Sequence, residues 1–284
     1  MAEKTGERLI CVICATTSEL EAIRTMMSSV VDERDDGMLH MTAGSIRDRD
    51  VFVVKAHSFG KVAAGAATQL AIERHNPRAI ISFGSAGALV EYLEVGDVVV
   101  AEELSQGDAG VVTSVGFEHT GSTRESESGL VGVKTYVCDR LLLDAARGIE
   151  SFEASGGSAS TVHFGPVVTC DQFIVSREAK RDLNARFGAL VIEMEAAAVA
   201  QVARACGVPF IAVKSVSDSI DFEMKQLASA MKLSGESMPA VWFRRAKMIA
   251  THPGAVREIS TLGRDVKIAS RNSAAFTREL INRL

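Results

Sequence analysis

Leu190–Asp218 reads LVIEMEAAAVAQVARACGVPFIAVKSVSD. An apolar run meets polar residues, an alanine-rich stretch follows, and a second apolar run ends at polar residues again. That order predicts strand, helix and strand: Ala189–Ile192, Glu195–Cys206 and Phe210–Val216. Gly207 and Pro209 stop the helix before the second strand. Each strand end delivers a carboxylate, Glu195 and then Asp218. Carboxylates at the carboxyl ends of neighbouring strands can be aimed into one crevice, where open α/β sheets bind ligands.

The same alternation runs outward. Further strands are predicted over Leu9–Ala15, Val51–Ala56, Ala79–Phe83, Val98–Ala101 and Val167–Thr169. Further helices are predicted over Glu19–Ser28, Lys61–Arg74, Leu141–Ile149, Ser176–Phe187 and roughly Glu223–Ile249. Near-continuous apolar strands between helices imply an α/β fold, a three-layer αβα sandwich around a twisted, largely parallel (mixed) sheet. Thr120–Gly132 and Ser155–Ser160, rich in Ser and Gly, read as loops. After the break THPG at Thr251–Gly254, Val266, Ala269, Phe276, Leu280 and Leu284 keep helical spacing, the mark of a stripe packed on the protein's own body. The expected organisation is one domain over 1–284 with a basic helical C-terminal extension at about 240–284.

The chain has 284 residues, 47% hydrophobic and 24% charged, enough for a sizeable core in a soluble protein. The first residues, MAEKTGERLI, lack the apolar segment of a signal peptide, and no apolar run approaches the ~20 residues that span a bilayer. A cytoplasmic location is expected. A net charge of −5 gives no general attraction for nucleic acid. Arg244–Leu284, with nine Lys/Arg against three Asp/Glu, is basic. It could touch an anionic membrane or RNA, but a solvated helix face is the favoured reading. Five cysteines argue against a disulfide framework. Cys11 and Cys14 form a C-x-x-C inside LICVICA; on a strand they point to opposite faces, as core residues would. No metal site and no cofactor is expected.

Several motifs border the crevice. HSFGKVAAGAA, from His57, lacks the glycine spacing and the Ser/Thr of a phosphate loop. GSAG, Gly84–Gly87, offers backbone N–H groups that could receive an oxyanion, a water or a sugar oxygen, although a tight turn explains it equally well. In VIEME, Glu193 and Glu195 share a face if extended and diverge by about 200° if helical, so only one is expected to face the crevice. Asp218 could cap a following helix or act as a general acid. After ATTSE, Thr17 or Ser18 could cap a helix with Glu19 in its first turn. Glu19 then either complements the helix dipole or serves as a general base.

Taken in order, ICATTSELEAIR, HSFGKVAAGAA, NPRAIISFGSAGAL, EVGDVVVAEEL, TCDQFI, VIEMEAAAVAQVA and GVPFIAVKSVSD resemble the purine nucleoside phosphorylase and nucleosidase superfamily. They are most similar to its methylthioadenosine/S-adenosylhomocysteine nucleosidases. The resemblance covers most of Leu9–Asp218. It implies that Glu19 activates a water, helped by Ser85 of the Ser85-Ala86-Gly87 loop. It implies that Asp218 protonates purine N7, that Glu195 binds the ribose hydroxyls and that Met194 lines the sugar. Phe173 would pack on the purine, the Ile174 backbone would read its edge, and Phe59 would lie near the sugar and 5′ group. A homo-oligomer, most plausibly a dimer, is implied as well.

The related phosphorylases bind phosphate through an arginine three residues before the loop serine, and Ser82 stands there. Together with a base for water at Glu19, that favours hydrolysis. The expected partner is a small purine nucleoside, methylthioadenosine or S-adenosylhomocysteine by default. Thr16 and Thr17 replace residues that in the nucleosidases are often Met and Glu. A bulkier 5′ substituent, futalosine-like or lipid-linked, is therefore an alternative. A phosphorylase, or a non-catalytic binder that has kept the fold, are the others.

Overall fold

A computed structural model describes residues 9–35, 37, 39–127, 129–155, 160–223 and 253–284. The helix expected over Glu223–Ile249 and part of the Ser155–Ser160 loop lie outside the described residues.

Two strand groups build the centre. Apolar runs give β1 (Ile10–Cys14), β4 (Arg49–Ala56) and β5 (Ala79–Ala88), with β1 parallel to both β4 and β5. β6 (Val98–Gln106), β12 (Val162–Thr169), β13 (Val191–Glu193) and β14 (Phe210–Asp218) form the second group. β14 lies between β5, to which it is parallel, and β6, to which it is antiparallel. From β6 the path runs through β12 and β13 back to the end of β5, so these strands close a ring. The rest of β5 anchors an open wing of β1, β4, β3 (Leu39–Ile46) and β2 (Ser29–Asp35). The sheet is mixed, as expected.

Nearly every residue of β1, β5 and β14 is buried on both alternating faces, which requires cover on both sides. α2 (Lys61–His75) and α5 (Ala196–Ala205) pack on each other as one layer. α1 (Thr17–Arg24), α3 (Arg140–Arg147) and a long last helix, α6 (Pro253–Arg283), form the other. α4 (Arg177–Phe187) lies against β12. Cys11 and Cys14 are both buried free thiols, and burial pushes both thiols up. Among the described residues no helix is long and apolar enough to cross a membrane.

Three local expectations are corrected. GSAG is not a turn after the strand, because β5 runs through it and pairs Gly84–Gly87 with Lys214–Asp218. Thr120–Gly132 is not a simple loop. It contains most of an antiparallel hairpin, β9 (Ser122–Ser126) with β10 (Gly129–Val133), beside another, β7 (Gly110–Thr113) with β8 (Gly116–His119). Their outward valines and polar residues lack the long apolar runs of core strands. α1 ends at Arg24, short of the expected Ser28, because the chain turns there into β2.

The C-terminal stripe packs inward. Ala269, Phe276 and Leu280 are fully buried where α6 covers β14, β5 and α1, and Val266 and Leu284 are partly buried. Phe276 meets Phe152 edge-on at 5.7 Å. Phe276→Ala should therefore cost about 3–5 kcal/mol of stability, read as a lowered denaturant midpoint.

Candidate active site

β5 is the platform of the site. Gly84 (φ 152°) has no room for a side chain, since a Cβ would fall 2.5 Å from Glu19 Oε1. On Gly87 a Cβ would fall 2.8 Å from Asp218 Oδ2. The two glycines three residues apart therefore each seat one carboxylate against bare backbone.

The Glu19 carboxylate accepts four hydrogen bonds. Its Oε2 accepts the N–H groups of Ala15 and Thr16, both at 3.0 Å, while Thr16 Oγ1 accepts the Glu19 N–H at 3.1 Å. This is a reciprocal helix cap. The cap is Thr16, not Thr17 or Ser18, because the chain is still extended at Thr16 (φ −108°, ψ 156°) as a cap requires. Oε1 accepts the Ser85 N–H at 2.9 Å and the Ser85 hydroxyl at 3.1 Å. Ser85 thus gives both its N–H and its hydroxyl to Glu19.

The Glu193–Glu195 pair divides in its partners, although both residues border the cavity and not one alone as expected. Glu193, last residue of β13, is buried and meets buried Lys214 Nζ at 2.8 Å. It also accepts the Thr169 hydroxyl, and the N–H groups of Glu195 and Ala196 reach it at 2.8–3.0 Å. It satisfies the open N-terminus of α5. Glu195, one step past Met194, turns away and accepts the Gly60 N–H at 2.9 Å. Burial first, and then the Glu193 charge, push the Glu195 carboxyl up to about 7, against the pull of Lys214 and the Gly60 N–H. Burial lowers Lys214, but Glu193, Glu195 and Glu19 outweigh it and hold the ammonium above its ordinary range.

Asp218 does not cap a helix among the described residues. Its Oδ2 accepts from Lys180 Nζ at 2.7 Å, and Oδ1 accepts from the Ser217 hydroxyl at 2.9 Å. Lys180, on α4, is 0% exposed, and a second bond to the Ser219 carbonyl at 2.7 Å fixes it. Such a lysine can only be a built partner for that carboxylate.

Glu19, Asp218, Ser85, Ala86, Gly87, Met194, Glu195, Phe59, Phe173 and Ile174 all line one cavity of about 280 Å³. Phe59 and Phe173 are 62% and 50% exposed, so their rings offer open faces at its mouth. A void of about 10 Å³, with room for about one water, adjoins Glu19, Glu195, Lys214 and Ser82. Sequence reading missed Lys180, Lys214 and Ser217, and missed Leu262 and Val266, by which α6 walls the cavity. The lysine inside the apolar run FIAVKSVSD was a usable signal; Lys180, among the charges of SREAKRDLNARF, gave none.

Residues 9–238 match the family model described as the phosphorylase superfamily. A 5′-methylthioadenosine/S-adenosylhomocysteine nucleosidase of Listeria monocytogenes is 34% identical over 212 residues, 74% of this chain and 85% of the relative. Its counterpart from Exiguobacterium is 32% identical over 218 residues, covering 75% and 85%. Among solved structures, the Neisseria meningitidis nucleosidase in complex with methylthio-immucillin-A matches with a TM-score of 0.72 at 25% identity, over 98% of this chain and 100% of that one. Helicobacter pylori futalosine hydrolase shares the fold, with a TM-score of 0.72 at 22% identity over 98% of each chain.

A carboxyl at about 7 when folded, against an ordinary value of 4.5, holds a proton that the unfolded chain releases. Its stabilising contribution is complete below the unfolded value and is lost as pH rises towards 7. Glu195→Gln should flatten that decline between pH 4.5 and about 7, measured by denaturation of both proteins across the range.

Proposed function

The chain belongs to the phosphorylase superfamily, and from that membership we propose that it is a purine nucleosidase. It hydrolyses the N-glycosidic bond of a 5′-substituted adenosine, with methylthioadenosine or S-adenosylhomocysteine as substrate. The names of relatives at 30–34% identity support this substrate class. The observation that carries the reading is that Glu19 and Asp218 border one cavity, each held by its own network.

The reaction divides between them. Glu19 takes a proton from water as the water oxygen bonds to C1′. The C1′–N9 bond breaks, its electron pair leaves with the base, and Asp218 passes to N7 a proton drawn from the Lys180 ammonium that it meets at 2.7 Å. Free adenine and the 5-substituted ribose result. Glu195 accepts from the ribose hydroxyls, while Met194 and Phe59 border the sugar. Phe173 stacks on the purine, and the Ile174 backbone reads its edge.

Electrostatics favour water over phosphate. Ser82, buried on β5, supplies no cation. Lys214, the cation beside the water-sized void, faces Glu193, Glu195 and Glu19, which together outnumber its charge. A phosphate dianion would meet net repulsion there, while a neutral water would not. A bulkier 5′ substituent is the second reading. Thr16 lines the cavity where the nucleosidases often carry Met, and its hydroxyl is already taken by Glu19.

The protein is also read as a cytoplasmic homodimer. Its five cysteines are all free, as suits a reducing compartment. Val112, Val115 and Leu130, 81%, 96% and 79% exposed on the hairpins, would supply apolar area for a second copy.

The purified protein should release adenine from methylthioadenosine at the same rate with and without phosphate; strict dependence on phosphate would make it a phosphorylase. Asp218→Asn should lower kcat by about 10²–10⁴-fold with a much smaller change in KM. A panel of 5′-substituted adenosines ranked by kcat/KM would assign the substituent. Sedimentation of wild type against Val112→Glu with Leu130→Glu should give a dimer and a monomer respectively.

A further inference from the structure

α2 begins without a cap of its own. Its first residue follows Gly60, which has φ 96° and no side chain to offer the open N–H groups. Two carboxylates from elsewhere in the chain fill the role. Glu195 accepts the Gly60 N–H at 2.9 Å, and Asp171 Oδ1 accepts the Lys61 N–H at 2.7 Å. Asp171 lies so close that a Cβ on Gly60 would fall 2.7 Å from its Oδ1.

A third segment joins them. Lys61 Nζ reaches Asp108 Oδ1 at 2.5 Å and Asp171 Oδ2 at 3.8 Å. The other oxygen of Asp108 accepts the Asp171 N–H at 2.8 Å. Asp108 follows β6, Asp171 follows β12, and Lys61 opens α2, so two strand ends and a helix start meet in one closed network. The Lys61 and Asp108 side chains are only 18% and 19% exposed, less screened than an ordinary surface pair.

The position of this network gives it a task. Phe59 stands one residue before Gly60, and Phe173 two residues after Asp171. Both rings are open to solvent, so side-chain packing does little to orient them. Their backbones are what the network holds. We propose that Lys61, Asp108 and Asp171 form a clamp that sets the two aromatic jaws of the cavity, and with them Glu195, before ligand enters. These are positioning residues that touch no reacting atom. Their effect is on binding, since a site ordered in advance loses less freedom when it fills. What the jaws hold rests on the nucleosidase reading; the clamp itself does not.

The test uses the full chain as wild type, Lys61→Met and Lys61→Arg, with two readouts. Hydrogen exchange over residues 57–61 and 170–174 needs no substrate. In Lys61→Met both segments should exchange at least about tenfold faster, with little change in global unfolding. Unchanged exchange in either segment would overturn the clamp. In steady-state hydrolysis of methylthioadenosine, Lys61→Met should raise KM about tenfold and leave kcat within about threefold, and Lys61→Arg should recover most of the loss. Faster exchange with unchanged KM, or a kcat that falls as far as KM rises, would overturn the binding role. A wild type that hydrolyses no purine nucleoside would sink the nucleosidase reading instead, and exchange together with the adenine affinity of the same variants would then decide the clamp.

Discussion

A buried lysine of β14 and a buried glutamate of β13 meet at 2.8 Å, and the site is arranged around them. Removing both charges from water is costly, and their attraction alone does not reliably repay it. Here the cost is offset because Glu193 also takes the Thr169 hydroxyl and the first N–H groups of α5. One carboxylate thereby joins β12, β13, β14 and α5. It forces the chain from strand to helix directly after Glu193, and that turn sends Glu195 into the cavity. Without Lys214 the cluster of Glu193, Glu195 and Glu19 would have no counter-charge at its centre.

The second constraint is steric. β5 carries glycine where each proposed catalytic carboxylate rests, so Glu19 and Asp218 lie on backbone rather than on side chains. The anchors differ in kind. Glu19 is held by hydrogen bonds from neutral N–H and hydroxyl groups, Asp218 by a buried ammonium. In this protein that difference comes from which element packs behind each carboxylate.

The sequence made much of this legible. Continuous apolar runs announced β1, β5, β12 and β14, and the carboxylates at their ends announced the crevice. The ordered motifs then directed attention to residues that line a single cavity. What stayed hidden has physical reasons. β2 has almost no buried residue and so no apolar signature. GSAG reads as a turn by composition, yet small residues also suit a strand pressed against side chains, and only the β14 pairing distinguishes the two. Lys180 looks like one charge among many on a helix face; its burial depends on where α4 docks, a tertiary fact without a local pattern.

The wall contributed by α6 has a consequence for how the molecule is made. A chain is synthesised from its N-terminus, and domains tend to assemble in that order. Every carboxylate named here lies before residue 219, whereas Leu262 and Val266 belong to the last helix. A nascent chain therefore carries the chemical groups of the site before it can enclose them, with the faces of β5 and β14 that α6 covers still bare. Enclosure of the pocket and burial of those faces both wait for α6 to be made and to dock. A chain that stopped before Leu262 would hold the cavity's carboxylates without the wall that α6 gives them.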